Sequence, residues 1–309
     1  MKIALCFHGL PRLLKQCNRN IIDYFIAQTR ATGCIVDIYA HFWWDDTHKG
    51  CVNRLHIPEK YDLNEDQIQL FKELYNPVKV IYEDCPDDFD GSSTNLQGYN
   101  TEHIRDDNLF SKLMASIIVY GLYCRFVSAT KVLDLVKEQG NDYDLIIICR
   151  TDLLTLEKRH TLLDEINGLN FDEYIYFPST KEGGIKYAGE HSNRLGDWLF
   201  MGIPRLIYQF CSTSLDIIKN YEKYNTEICP IHNTERNTFW ANHANVKLNK
   251  FNSSISIRRF IVEEWEDPSY RKSLLIQPKF YIDIYDQEQH KYPQHDLLPF
   301  YINKVKFIK

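Results

Sequence analysis

Residues Leu145, Ile146, Ile147, Ile148 and Cys149 form an unbroken apolar run with three β-branched side chains in succession. A half-buried strand alternates apolar and polar residues. A run without alternation reads as a strand buried on both faces, the signature of a parallel sheet covered by helices. The segment before it carries Leu122, Phe126, Ala129, Val132, Leu133 and Val136 at helical spacing, which predicts a long helix over about 110–139, ended by Gly140. Helix into buried strand is half of a crossover unit, and the chain has others.

In the first third, residues 2–7 are a second continuous apolar run. A helical pattern with Ile22, Phe25, Ile26 and Thr29 on one face follows and ends near Gly33. Residues 34–40 read as the next strand, running into His41-Phe42-Trp43-Trp44-Asp45-Asp46. A capped helix is expected from Asn64, with Gln67 three residues on and a stop before Pro77, followed by a strand at 78–82. The alternation predicts an α/β fold: a Rossmann-like, mostly parallel central sheet flanked by helices in a single domain over 1–309. Residues 83–107 are acidic, rich in Gly, Ser and Asn and aperiodic, so they read as a surface excursion or as a lid. Further on, strands are expected at 173–177 and 198–201, a turn at 181–184, a helix with Pro204 near its start and a shorter helix from Thr234. The tail from Phe251 is aromatic and irregular.

Composition narrows the function. A net charge of -6 argues against a general nucleic-acid binder, which needs clustered Lys and Arg to meet phosphates. Nine scattered cysteines, an odd number, read as reduced thiols and hence a reducing, cytoplasmic setting. Cys229 and His232 have no second pair at zinc-finger spacing. No apolar run reaches the length of a membrane span, so the chain reads as soluble, with no transmembrane segment.

Ligands of open parallel sheets bind outside the carboxyl ends of the strands. Three polar clusters stand at such ends: His8-Gly9-Leu10-Pro11-Arg12, His41 to Asp46, and Arg150-Thr151-Asp152. In an extended chain Arg150 and Asp152 point to the same side. One can face a diphosphate and the other a divalent cation; a plain strand-end salt bridge is the competing reading. Three motifs that would direct the search elsewhere are missing: G-x-G-x-x-G after the first strand, G-x-x-x-x-G-K-[ST], and G-x-S-x-G.

The ordered segments resemble glycosyltransferases encoded at polysaccharide and lipopolysaccharide loci. The opening strand followed by Gly9-Leu10-Pro11-Arg12 is similar to their "GxxR" turn, and Val36 to Trp43 to their second strand, ending in His and Trp. Tyr143 to Leu153 resembles their "YDxxxRxRxD" signature. Gly196-Asp197-Trp198-Leu199-Phe200-Met201-Gly202 resembles their downstream "D-x-x-x-x-G" strand, and Thr234-Glu235-Arg236 a helix start. The matches span residues 1 to about 245.

The resemblance implies a GT-A-like fold with a nucleotide-sugar-binding half (1–155), an acceptor-side half (156–250) and a C-terminal extension (251–309) packing on the core. It implies transfer of a sugar from a UDP- or GDP-sugar to a glycan acceptor, often with Mn²⁺ or Mg²⁺. Nucleotide-side candidates are His8, Gly9, Arg12, His41, Trp43, Arg150 and Asp152, with Asp152 also the metal ligand. Arg150 stands where the family's D-x-D motif has its first acid. Asp197 and Glu235 are the candidate catalytic bases, competing with a turn-forming Asp and with helix N-terminal charge. His191, Asn193, Trp240 and His243 are acceptor-side candidates. Competing readings are a catalytically inactive GT-A-like nucleotide- or glycan-binding protein and a nucleotidyltransferase.

Overall fold

The computed structural model describes residues 1–11, 14–44, 66–83, 99–100, 109–140, 142–155, 161–179, 199–220, 229–230, 233–252 and 255–257. The chain begins with β1 (Lys2–Gly9), a helical segment made of α1 (Leu14–Ile21), a π-helical stretch (Ile22–Ala27) and α2 (Gln28–Ala31), then β2 (Ile35–Trp43), α3 (Gln67–Tyr75) and β3 (Lys79–Glu83). The short β4 (Tyr99–Asn100) precedes the long helix α4 (Leu109–Glu138), which leads into β5 (Leu145–Cys149) and β6 (Leu153–Thr155). There follow α5 (Leu162–Ile166), β7 (Tyr174–Ser179), β8 (Leu199–Gly202), α6 (Pro204–Lys219), β9 (Cys229–Pro230), α7 (Asn233–His243), β10 (Lys247–Asn252) and β11 (Ile255–Ile257).

Seven strands form one sheet in the order β10-β7-β8-β5-β1-β2-β3. Parallel pairing joins β1 to β2 and β5, β2 to β3, and β7 to β10; β8 runs antiparallel to both β5 and β7. This is the expected α/β fold, a mostly parallel central sheet with helices on both faces. The doubly apolar strands take the centre: every residue of β5 is buried, as are Ile3 to Phe7 of β1.

Side-chain alternation sorts the two cores. Ala4, Cys6, Ile146 and Ile148 pack on one face with α4, α6 and α7. Ile3, Leu5, Phe7, Leu145, Ile147 and Cys149 pack on the other with α1, α3 and α5. Helix α4 lies over β1 and β2, carrying the predicted stripe of Phe126, Val132, Leu133 and Val136 into the first core. It ends where predicted: Gly140 has φ +62°, a left-handed conformation that costs glycine little.

Several boundaries shift. The cap of α3 is Asp66, not Asn64; its carboxylate accepts from the N–H groups of Ile68 and Gln69. The strand expected at 78–82 extends to Glu83. An edge strand absent from the sequence reading, β10, pairs with β7 from Lys247 to Asn252. Within the 83–107 excursion, Tyr99–Asn100 pairs in parallel with Cys229–Pro230. The turn at 181–184 and the tail beyond residue 257 lie outside the described residues.

Loss of the α3 cap isolates one local interaction. Asp66→Ala is expected to lower unfolding stability by about 1 kcal/mol, read from the denaturant midpoint, while Asp66→Asn, which keeps a capping oxygen, loses less.

Candidate functional site

Three strand ends meet at one edge of the sheet. The register sets Phe7 beside Cys149, so Gly9 and Thr151, each two residues further on, reach the same level. Across the other side of β1, His8 lies beside His41 and Gly9 beside Phe42. The chain steps from β1 outward through β2 to β3, then returns by way of α4 to β5 on the opposite side of β1. The carboxyl ends of β1 and β5 therefore flank the point where strand order reverses, the position at which open α/β sheets form a ligand crevice. Thr151 Oγ1 donates to the Leu10 carbonyl at 3.3 Å and ties the two strand ends together.

Alternation sends the polar residues to one face. Cys6 faces α4, and His8, two residues on in β1, follows it; Arg150 comes directly after the last residue of β5. Tyr39 and Trp43 belong to the same core, with His41 between them bonded to α4. Three of the seven nucleotide-side candidates, His8, His41 and Trp43, thus gather on the α4 side of the crevice, and Arg150 and Asp152 stand at the neighbouring end of β5.

Arg150 and Asp152 form a fork. Arg150 Nε donates to Asp152 Oδ1 at 2.8 Å, and Nη2 donates to Oδ2. The Asp152 side chain is 4% exposed and that of Arg150 22%. A bidentate guanidinium–carboxylate pair is among the more strongly directional polar contacts available to a protein.

Beside the fork, a second network pins β1 and β2 to α4. The Gly9 N–H donates to Ser128 Oγ at 2.8 Å. The same hydroxyl lies 2.8 Å from His41 Nδ1 and 3.0 Å from the His41 carbonyl. On the far side of the ring, His41 Nε2 meets Glu83 Oε1 at 2.9 Å, and Lys131 Nζ pairs with that same oxygen. Trp43 packs edge-on against His41 with centroids 4.6 Å apart, and its indole N–H donates to the Cys124 carbonyl at 2.9 Å.

Burial lowers the pKa of His41 to about 4, against the opposing pull of Glu83. Glu83 stays ionised: partial burial works against its charge, but hydrogen bonds from Lys131 and His41 outweigh it and hold its pKa below the usual value. An ionised carboxylate only accepts. Neutral His41 therefore carries its proton on Nε2 and donates it to Glu83; the one proton of Ser128 goes to the His41 carbonyl, and Nδ1 lies beside the same hydroxyl. The order Ser128–His41–Glu83 has the connectivity of a hydrolytic triad. Ser128 is fully buried, however, and its oxygen is committed to Gly9, so the network positions backbone rather than attacking a substrate.

Gly9 is where the backbone needs glycine. Its φ is +89°, and a Cβ built there meets no atom of the described residues within 4 Å. Among the described residues no packed atom faces the position, and a glycine there lets a ligand approach the main chain closely.

Other candidates are placed elsewhere. Arg12, His191, Asn193 and Asp197 lie outside the described residues. Glu235 lies in the first turn of α7. Trp240 is fully buried against Phe126, with centroids 4.9 Å apart, in the α4 core. His243 is exposed at the end of α7, packed against Phe239.

Residues that the sequence reading passed over are Glu83, Ser128, Lys131 and Arg125. Arg125 sits one turn before Ser128, its guanidinium carbon 5.3 Å from the Phe126 ring centroid and 6.0 Å from that of Phe200.

The divalent cation that the resemblance implies does not fit these residues. Both oxygens of Asp152 accept from Arg150, and no group of three His, Cys, Asp or Glu side chains among the described residues could share an ion.

No protein family and no curated protein matches the sequence. Among solved structures, mouse xyloside xylosyltransferase 1 in its apo form is similar to this chain with a TM-score of 0.37 and 10% identity, over 81% of this chain and 85% of that one. A likeness of that size decides neither fold nor activity. No helix among the described residues is long and apolar enough to cross a membrane.

The buried His41 makes stability depend on pH. Above pH 6.5 the ring is neutral in folded and unfolded chains alike. Between 6.5 and about 4 the unfolded chain takes up a proton that the folded one refuses, so stability falls with pH; the full loss is about 3 kcal/mol. The thermal midpoint should therefore drop more between pH 7 and pH 4.5 in the wild type than in His41→Gln. Equal drops would mean that His41 does not carry the effect.

Proposed function

We propose that this protein is a glycosyltransferase that moves a sugar from a UDP- or GDP-sugar onto a glycan acceptor. The observation that carries the reading is the convergence of three polar strand ends, those of β1, β2 and β5, at the crevice where strand order reverses. The ordered resemblance to polysaccharide-locus glycosyltransferases runs through the same three segments.

Glycosyl transfer proceeds through an oxocarbenium-like transition state while negative charge grows on the departing diphosphate. Groups fixed in advance and aimed at that charge lower the barrier most. In this reading the Arg150 guanidinium meets the diphosphate, and Asp152 keeps it aimed. The turn at Gly9 brings main chain close to the nucleotide, with His8 and Arg12 beside it. Ser128 holds that turn through the Gly9 N–H, and His41 and Trp43 form its inner wall. A carboxylate from Asp197 or Glu235 would take the proton of the acceptor hydroxyl in an inverting reaction.

The Arg150–Asp152 pair is also what a purely structural strand end would contain, which keeps an inactive nucleotide- or glycan-binding protein in contention. Turnover separates the two. Incubation with UDP- and GDP-sugars, with and without Mn²⁺, is expected to release nucleoside diphosphate slowly through donor hydrolysis, and faster when a glycan acceptor is added. Asp152→Ala should reduce that release by about 100-fold or more while unfolding stays cooperative. Nucleotide binding without any release would favour the inactive reading, and wild-type turnover in Asp152→Ala would remove the fork from the site.

Ser128 has a different expected signature, because it touches main chain and His41 rather than ligand. Ser128→Ala should raise KM for the donor more than it lowers kcat, and a fall confined to kcat would contradict its role in holding the Gly9 turn.

A further inference from the structure

We infer that this site receives a nucleoside diphosphate through the Arg150 guanidinium and without a divalent cation, Asp152 serving to aim the guanidinium; this rests on the donor-site reading above. A cation-dependent site needs carboxylate oxygens turned toward an ion. Here both oxygens of Asp152 accept from Arg150, and the carboxylate side chain is 4% exposed. The hydrogen bonds from Arg150 do not by themselves exhaust its lone pairs. An ion on the remaining ones would, however, sit next to a guanidinium already in contact with the same oxygens, and like charges at such range repel strongly in a partly buried setting.

The same geometry equips Arg150 for the task. A guanidinium carries five N–H donors, and Asp152 engages the one on Nε and one on Nη2. The donors that no described residue engages lie on a side chain 22% exposed, just past the end of β5. A planar fork matches phosphate oxygens two at a time, which an ammonium cannot do. Because Asp152 already fixes the guanidinium, little side-chain freedom is lost when phosphate arrives. Arg125 of α4 is a second guanidinium on the face of the sheet toward which His8 points.

Titration calorimetry of the full chain with UDP and with GDP, in EDTA and in excess Mn²⁺, tests this directly. The expected result is the same affinity in both conditions. Arg150→Gln should weaken binding by about tenfold or more, and Arg150→Lys, which keeps the charge but loses the fork, should remain weakened. Asp152→Asn should weaken binding less than Arg150→Gln, and equally with and without Mn²⁺. Binding that appears only with Mn²⁺, with the gain lost in Asp152→Asn and untouched in Arg150→Lys, overturns the cation-free inference and leaves the donor site standing. Absence of UDP and GDP binding in both conditions overturns the inference and the glycosyltransferase reading together. Circular dichroism of each variant shows that it is folded before its affinity is compared.

Discussion

The level at which β1 and β5 end governs everything at the site. Both strands are sealed on two faces, so their backbone groups must find partners in the ladder and their side chains must fill two cores. Neither strand can slide by one residue without turning a core-facing set to the wrong side. The register that sets Phe7 beside Cys149 is therefore fixed by packing. Gly9, Thr151 and the Arg150–Asp152 fork inherit their positions from it. The polar crevice is a consequence of an apolar constraint two residues earlier in each strand.

Helix α4 couples that constraint to the site from above. Its apolar stripe anchors it over β1 and β2, and within the same stripe Ser128 replaces an apolar contact with three polar ones. A buried hydroxyl is tolerable when fully used. Here it is used by Gly9 at the mouth of the crevice and by His41 at the adjacent strand end. Glu83 and Lys131 complete the arrangement at the solvent side, where charges are cheap to keep.

The sequence exposed whatever depends on local pattern. Residues 145–149 announced a buried strand by lacking alternation, the α4 stripe announced a helix by its spacing, and the strand ends announced themselves by switching from apolar to charged. Contacts between distant segments left no such trace. Ser128 meets Gly9 across 119 residues and His41 across 87, and nothing local distinguishes it from a serine on a solvated helix face. Glu83 looked like the first residue of an acidic loop because its partners lie on β2 and α4. Strand β10, Lys-Leu-Asn-Lys-Phe-Asn, is largely polar because an edge strand needs little burial, so it carried no hydrophobic signal. The α3 cap lies two residues beyond the expected Asn64 because Asn64 and Asp66 are both competent cap types, and only the hydrogen bonds single out Asp66.

The Arg150–Asp152 pair is the one feature on which local pattern and long-range structure pull in different directions. As a sequence it looks like a damaged D-x-D motif, and the expectation of a weakened metal site follows. As a structure it is complete: the arginine is not a missing acid but the partner that occupies the remaining acid. A lone carboxylate at a strand end, 4% exposed, would need a counter-charge to remain ionised. The arginine supplies it from two residues away, with no loop to order and no second chain segment to position. Metal sites obtain their charge from outside the chain and must hold several acids apart to do so. This strand end carries its own cation, and so needs only a single carboxylate.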